Sequence, residues 1–258
     1  MPTNAEKAAE LLRLHTAPEL LTVVNVWDVI TATVVADLPG TKALATASHS
    51  IAASHGYADG ENIPVDTMIE AVGRIAAAVS VPVSADLEGG YGDAGETTRK
   101  AIGVGIVGAN LEDQMKPLDQ AVAAVRAVVS AGEAEGVPFV LNARTDAFVK
   151  AGDRAKADVV ADAIERGKAF LEAGASCVFV PGLLDEPTVV QLVEGIGERR
   201  VSVINVPGSL PQARLAELGV ARVSFGPWTQ RLALTAFADF ATDAIAGGNL
   251  PDGVRPLN

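Results

Sequence analysis

The sequence predicts an α/β chain closed into one (β/α)8 barrel of the TIM type, with residues 1–258 forming a single domain. Three observations carry that expectation. The chain has 258 residues, and barrels of this architecture take about 250. Short β-branched runs alternate with longer helical patterns from one end to the other. No G-x-G-x-x-G turn follows the first of those runs, which weakens the open, doubly wound alternative.

The elements follow in order. Residues 21–26 read as a strand, followed by a helix to about residue 37. Residues 43–46 form a short second strand. Apolar residues then recur at helical spacing over 65–78, ahead of a strand at 81–86. A helix near 96–104 leads to a strand at 107–112, a helix at 118–135 to a strand at 139–144, and a helix at 156–174 to a strand at 177–180. Two weaker units have strands at 201–205 and 222–225, with helices at 187–195 and 211–218. A last helix, 231–246, completes eight units. The strands are nearly continuous in apolar character, as expected when both faces of a parallel sheet are covered. Parallel neighbours need crossover helices, and these are right-handed in nearly every case.

Composition narrows the function. The formal net charge is -12 with a pI near 4.7, a surface that repels phosphate backbones, so neither nucleic acid nor an anionic membrane is an expected partner. A small anionic substrate would need a local cation or an arginine, which favours a metal site. Hydrophobic residues make up 49% of the chain but aromatic ones only 4%, so the core is expected to be Val, Leu, Ile and Ala. The single cysteine, Cys177, excludes an intramolecular disulfide. Residues 1–12 carry charges throughout, and no stretch approaches the ~20 apolar residues of a membrane span. The expected location is the cytoplasm.

Chemistry in such barrels sits at the C-terminal strand ends. The third strand ends in Asp86-Leu87-Glu88, followed by Gly89-Gly90-Tyr91-Gly92. The fourth ends in Glu112-Asp113-Gln114 and the fifth in Asn142-Ala143-Arg144-Thr145-Asp146. The second runs into Ser48-His49-Ser50, with His55 and Asp59 in its loop. Strand alternation puts Asp86 and Glu88 on one side and Leu87 on the other. A lone acid at a strand end reads best as a solvated loop residue or a helix cap. Three inward acids on consecutive strand ends repel one another, and a hard divalent cation, Mg2+ or Mn2+, relieves that repulsion. Arg144 either neutralises Glu112 or Asp146, or grips a substrate carboxylate by two points. His15, on the first helix, is expected at the surface. His49 and His55 lack metal-ligand spacing, and Cys177 lies inside a strand as inert core. No nucleophile-elbow signature supports acyl transfer. Gly226-Pro227 stands where some barrels bind an anion.

Taken together, Lys42-Ala43-Leu44-Ala45-Thr46, residues 50–56 with Asp59-Gly60, and segments 84–92, 110–114 and 142–146 resemble the isocitrate lyase/phosphoenolpyruvate mutase superfamily over at least residues 24–226. The resemblance implies a barrel whose last helix packs on a neighbouring subunit, giving dimers paired into tetramers. It implies Mg2+ held through Asp86, Glu88 and Glu112, with Glu88 standing where members often have Asp. It implies a substrate-binding set of Trp27, Ser48, His49, Asp86, Asn142 and Arg144, and catalytic roles for Asp59, Arg144 and Lys116. Lyases of that superfamily carry a Lys-Cys-Gly-His stretch on a mobile lid, and mutases and phosphonopyruvate hydrolases carry Lys and Asn there. Here Glu112-Asp113-Gln114-Met115-Lys116-Pro117-Leu118 enters a helix at once, so Lys116 partly replaces the lid lysine. Pro181 stands where mutases tend to have His.

These groups suit a Mg2+-dependent enzyme that cleaves a C–C bond of a small 2-oxo acid through a metal-stabilised enolate, in the manner of an oxaloacetate decarboxylase. Carbon dioxide leaves without a general acid, whereas cleavage of 2-methylisocitrate needs a well-placed acid and base. The alternatives are P–C chemistry on phosphonopyruvate or a carboxyphosphonate, which needs water excluded, and a non-catalytic barrel that binds 2-oxo acids.

Overall fold

Eight parallel strands close on themselves, although the hydrogen-bond ladder divides the first of them in two. The computed structural model describes residues 2–257. Strands β1 (Leu21–Thr22) and β2 (Val24–Val26) lie on either side of Val23. The others are β3 (Leu44–Thr46), β4 (Val83–Asp86), β5 (Gly108–Glu112), β6 (Val140–Arg144), β7 (Cys177–Val180), β8 (Val201–Ile204) and β9 (Arg222–Ser224). The ladder runs β1-β9-β8-β7-β6-β5-β4-β3-β2, so it begins and ends on one continuous stretch of chain. The Val23 N–H donates to Val223 O at 3.0 Å and carries the seam across the division. The barrel is therefore closed, as the alternation predicts.

Each strand is followed by a helix: α2 (Val29–Ala36), α4 (Val65–Ala78), α5 (Ala94–Gly103), α6 (Leu118–Ala134), α7 (Lys156–Glu172), α8 (Glu186–Ile196), α9 (Gln212–Glu217) and α10 (Trp228–Ile245). Two more, α1 (Asn4–Thr16) and α3 (Ser48–Ser54), complete the set among the described residues. The sequence shows no apolar period for α3, whose seven residues are mostly small and polar.

Helix α1 begins with a reciprocal cap between Thr3 and Glu6. It then buries Ala8, Leu11, Leu14 and His15, residues at the spacing of one helical face. That face seals the N-terminal end of the barrel. A Cβ on Gly108 would stand 2.7 Å from Val140 O and 2.8 Å from Leu11 Cδ2, so glycine is needed where β5 meets the β6 backbone beneath α1. This overturns the surface placement of His15, which is 1% exposed. Its Nδ1 lies 2.8 Å from Leu11 O. Burial, reinforced by the charge of Arg222, pushes its pKa down to about 3 and keeps the ring neutral.

The barrel interior is polar along its axis. Arg222 is fully buried and donates to Ser84 Oγ at 3.3 Å. Asn142 donates to Asn110 Oδ1 at 2.8 Å and to Ser202 Oγ at 3.3 Å. Cys177 is fully buried with its thiol directed at Arg200 O, and burial pushes it up to about 12, which agrees with an inert core residue.

The last helix behaves differently. Only Gln230 of α10 is buried, donating to Ser50 O and Ser54 Oγ. Beyond that first turn the helix leaves the barrel, with Leu232 74% and Phe237 67% exposed. No described helix is long and apolar enough to cross a membrane.

Candidate functional site

The C-terminal ends of β3 to β6 bring most of the singled-out acids together. Asp86 closes β4, and its N–H donates to Thr46 Oγ1 at 3.0 Å. Its Oδ2 accepts from Ser48 Oγ at 2.7 Å and from the Ser48 N–H at 3.2 Å, at the first turn of α3. Its Oδ1 is buried and has no protein partner.

On the neighbouring strands, Arg144 lies between two acids. Its Nη1 pairs with Glu112 Oε1. Its Nε and Nη2 reach Asp146 Oδ1 at 2.8 and 2.7 Å. Of the five N–H donors of a guanidinium, those of Nε and Nη1 hydrogen-bond these acids, and Nη2 lies within ion-pair distance of Asp146, which leaves donors to spare. The Phe179 ring lies 6.0 Å from Arg144 Cζ, and its low polarity strengthens the pairings around it.

Asp146 is itself fixed from behind. Its N–H donates to Asp113 Oδ1 at 2.9 Å, an oxygen that also accepts from the Met115 N–H. Asp113 Oδ2 meets Arg166 Nη1 at 3.2 Å, and the same Nη1 donates to Lys116 O. Arg166 comes from α7, on the outside of the barrel. The chain therefore runs Arg166, Asp113, Asp146, Arg144.

Glu88 lies in the turn after β4 and is 2% exposed. Its Oε2 accepts the Glu61 N–H, and its Oε1 accepts the Tyr91 hydroxyl at 3.0 Å. Burial raises its pKa to about 6, against the lowering effect of those two donors, and the charges of Asp86 and Asp59 add to the rise. Burial also raises Glu112, opposed by Arg144 and reinforced by Asp86, Asp146 and Glu88. Both glutamates thus feel the neighbouring acids, as inward clustering predicts.

A direct cage of carboxylates is not what the geometry gives. Among the described residues, no group of three His, Cys, Asp or Glu could hold a metal ion. The physical reason is that Glu88 and Glu112 each hold protein donors of their own. The residues nevertheless fit Mg2+, which keeps several waters and takes one or two carboxylates directly. Asp86 Oδ1 offers a buried oxygen with no other use. Asp86 would hold the ion, and Glu112 and Glu88 would reach it through water.

The remaining expected residues fall into two groups. Asp59 and Lys116 are exposed on loops at this end of the barrel. The Ser48 amide is directed at Asp86, and His49 is partly buried with its Nδ1 unpartnered. Trp27 and Asn142 stand apart from the acids. Trp27 lines a groove between α2, α3 and α4, and Asn142 is buried in the barrel interior. The Phe225 and Gly226 amides both donate to Asn25 Oδ1, so the loop at Gly226-Pro227 has no such donors free for an anion.

Sequence reasoning missed Glu61, Tyr91, Asp113 and Arg166 as functional residues. Tyr91 and Asp113 sit inside quoted motifs, so position was the available signal. Arg166 gave none, because its partner Asp113 is 53 residues away.

A family model described as phosphoenolpyruvate phosphomutase matches residues 11–245. An uncharacterized protein of Mycobacterium tuberculosis is 34% identical over 233 residues, covering 89% of this chain and 86% of its own. The 2,3-dimethylmalate lyase of Eubacterium barkeri is 28% identical over 226 residues, covering 82% and 75%. A crystal structure from Burkholderia cenocepacia, provisionally named a phosphonomutase, superposes with a TM-score of 0.87 at 37% identity, covering 93% of this chain and 99% of that one.

Proposed function

From the premise that the chain belongs to the phosphoenolpyruvate phosphomutase family, within the isocitrate lyase/phosphoenolpyruvate mutase superfamily, we propose that it is a Mg2+-dependent lyase that cleaves a C–C bond of a small 2-oxo acid such as oxaloacetate. One observation carries the reading. Arg144 is held between Glu112 and Asp146 with donors to spare, in the same acid cluster as Asp86, whose buried Oδ1 has no partner among the described residues. A cation and an arginine beside one another suit the carboxylate and oxo oxygens of a 2-oxo acid. The E. barkeri relative is named as a lyase of 2,3-dimethylmalate, which supports C–C chemistry.

Bound Mg2+ would supply Lewis-acid polarisation of the oxo oxygen, a contribution of several kcal/mol. The chain's own residues do the rest. Ser48 fixes the orientation of Asp86 by two hydrogen bonds. The spare donors of Arg144 hold the carboxylate next to the oxo group and offset negative charge as the C–C bond breaks. The bond's electrons pass towards the oxo group and carbon dioxide departs, so no acid is needed until the remaining carbon takes up a proton. Asp59 and Lys116, both exposed at this end, would serve that solvent-side step.

The test uses purified protein with Mg2+ and three substrates: oxaloacetate, 2-methylisocitrate and phosphonopyruvate. Pyruvate release from oxaloacetate, lost with EDTA and restored by Mg2+ or Mn2+, is the expected result. Asp86→Asn should weaken Mn2+ binding by about 10–100-fold, read by electron paramagnetic resonance. Phosphate released from phosphonopyruvate alone would transfer the reading to P–C chemistry. Binding of oxalate with no turnover of any substrate would leave a ligand-binding barrel.

The assembly belongs to the same reading. Exposed apolar residues of α10 and a groove of about 690 Å³ lined by Trp27, Val29, Ile30 and Ala71 support exchange of α10 between two copies of the chain. An apolar face of this kind is costly to leave in water. Light scattering should report a dimer or tetramer, and Phe237→Asp should shift it towards monomer. A wild-type protein that is monomeric at every concentration would remove this part. A cytoplasmic location fits the single, buried, unpaired Cys177.

A further inference from the structure

Beside the acid cluster, three residues with left-handed backbones close one ring of hydrogen bonds. Glu61, Glu88 and Tyr91 have φ of 61°, 51° and 52°. The Glu61 N–H donates to Glu88 Oε2. The Tyr91 hydroxyl donates to Glu88 Oε1 at 3.0 Å, and the Tyr91 N–H donates to Glu61 Oε1 at 2.5 Å.

A left-handed backbone is costly for any residue that carries a Cβ, and it persists only where the surroundings over-determine it. Glycine adopts it freely. The same two loops use glycine at their other left-handed positions, Gly56, Gly60, Gly90 and Gly92, with φ of 80°, 88°, 90° and 83°. The three positions that keep larger residues are the three whose side chains build the ring. The strain is therefore retained together with the contacts that offset it, and both join two separate loops. One loop follows α3 and carries Asp59, and the other follows β4. Apart from the ring the first loop is anchored at its far end, where Ile63 is buried in the core, and the stretch that carries Asp59 has fewer ties. Residues 53–60 are exposed, and Asn62 Nδ2 bonds only within the loop, to Asp59 O and Gly60 O.

We propose that Glu61 and Tyr91 are positioning residues that act through Glu88 to pin the Asp59-bearing loop against the end of β4 and so hold Asp59 at the mouth of the barrel. This role rests on the reading of that mouth as a 2-oxo-acid site. It also gives Glu88 a task besides any cation, since both of its oxygens already hold protein donors.

Amide hydrogen exchange and pyruvate release from oxaloacetate, measured on the full-length protein with Mg2+, test the proposal together. Tyr91→Phe removes one hydroxyl, and Glu61→Gly removes the acceptor while permitting the left-handed backbone. In both variants the amides of residue 61 and residue 91 should exchange at least about tenfold faster, and kcat should fall about tenfold with KM little changed. Glu61→Gln, which keeps an acceptor oxygen, should restore both. Unchanged exchange in Tyr91→Phe and Glu61→Gly would overturn the ring as a constraint. Faster exchange with wild-type kcat would overturn the positioning role alone. If the wild-type protein releases no pyruvate from oxaloacetate, the reading of the site falls and the positioning role falls with it.

Discussion

Replacing Arg144 with Gln is expected to weaken Mg2+-dependent binding of oxalate by roughly 2–5 kcal/mol, the usual consequence of truncating one partner of a buried, hydrogen-bonded charge pair. That corresponds to between about thirtyfold and several-thousandfold in affinity. The expectation follows from how the guanidinium is used. Nε and Nη1 donate to Asp146 and Glu112 and Nη2 lies beside Asp146, so the guanidinium is held in place with donors to spare, and its planar fork suits a carboxylate. The substitution also acts on the apo protein. Arg144 is the main influence that lowers Glu112 against the effect of burial, so Glu112 in the variant should stay protonated to higher pH. Arg144→Lys separates charge from shape: it should recover stability better than it recovers oxalate affinity, because an ammonium lacks the fork. Calorimetric titration with oxalate, with circular dichroism to confirm folding, gives the answer. A near-wild-type affinity in the Gln variant would remove Arg144 from the substrate site.

Much of this architecture was legible in the residues because it depends on periodicity. Alternating β-branched runs and helical faces report burial on two sides, and repeated right-handed crossovers leave closure as the simplest outcome. The strand-end acids were legible from their position at the ends of the apolar runs; strand alternation ends at Asp86, and Glu88 lies in the left-handed turn beyond it. Partner choice was not. Asp86 lies opposite Asn110 on β5, and Arg144 lies opposite Glu112, so the register between strands decides which charges meet, and no single strand encodes it. The expectation of three acids around one ion failed to foresee that Glu61 and Tyr91 would take the oxygens of Glu88. His15 shows a different gap. Its spacing from Ala8 and Leu11 marks it as part of the buried face of α1, but a histidine in a charged amphipathic segment reads as polar until the barrel floor beneath it is known. The split of the first strand at Val23 arises from the two sides of the seam and has no counterpart in composition.

The Arg166–Asp113 pair carries the second large expectation, this time for stability. Asp113 is buried, and among the described residues its only cationic partner is Arg166 at 3.2 Å. Removing the cation leaves a buried carboxylate uncompensated, so Arg166→Gln should cost about 3–5 kcal/mol, read from the denaturant midpoint. Asp162 does not suffer in the same way, because Arg154 still meets it at 2.9 Å. Asp113→Asn introduced into the Arg166→Gln background should then recover part of the loss. The amide oxygen still accepts the Met115 and Asp146 N–H groups, while the unpaired charge is gone. Two buried groups that merely pack would lose stability additively, or more, in the double variant. A double variant less stable than Arg166→Gln alone would therefore show that the pair is held by shape and not by charge. Recovery would place the electrostatic support for Asp146, and through it Arg144, on a helix outside the barrel.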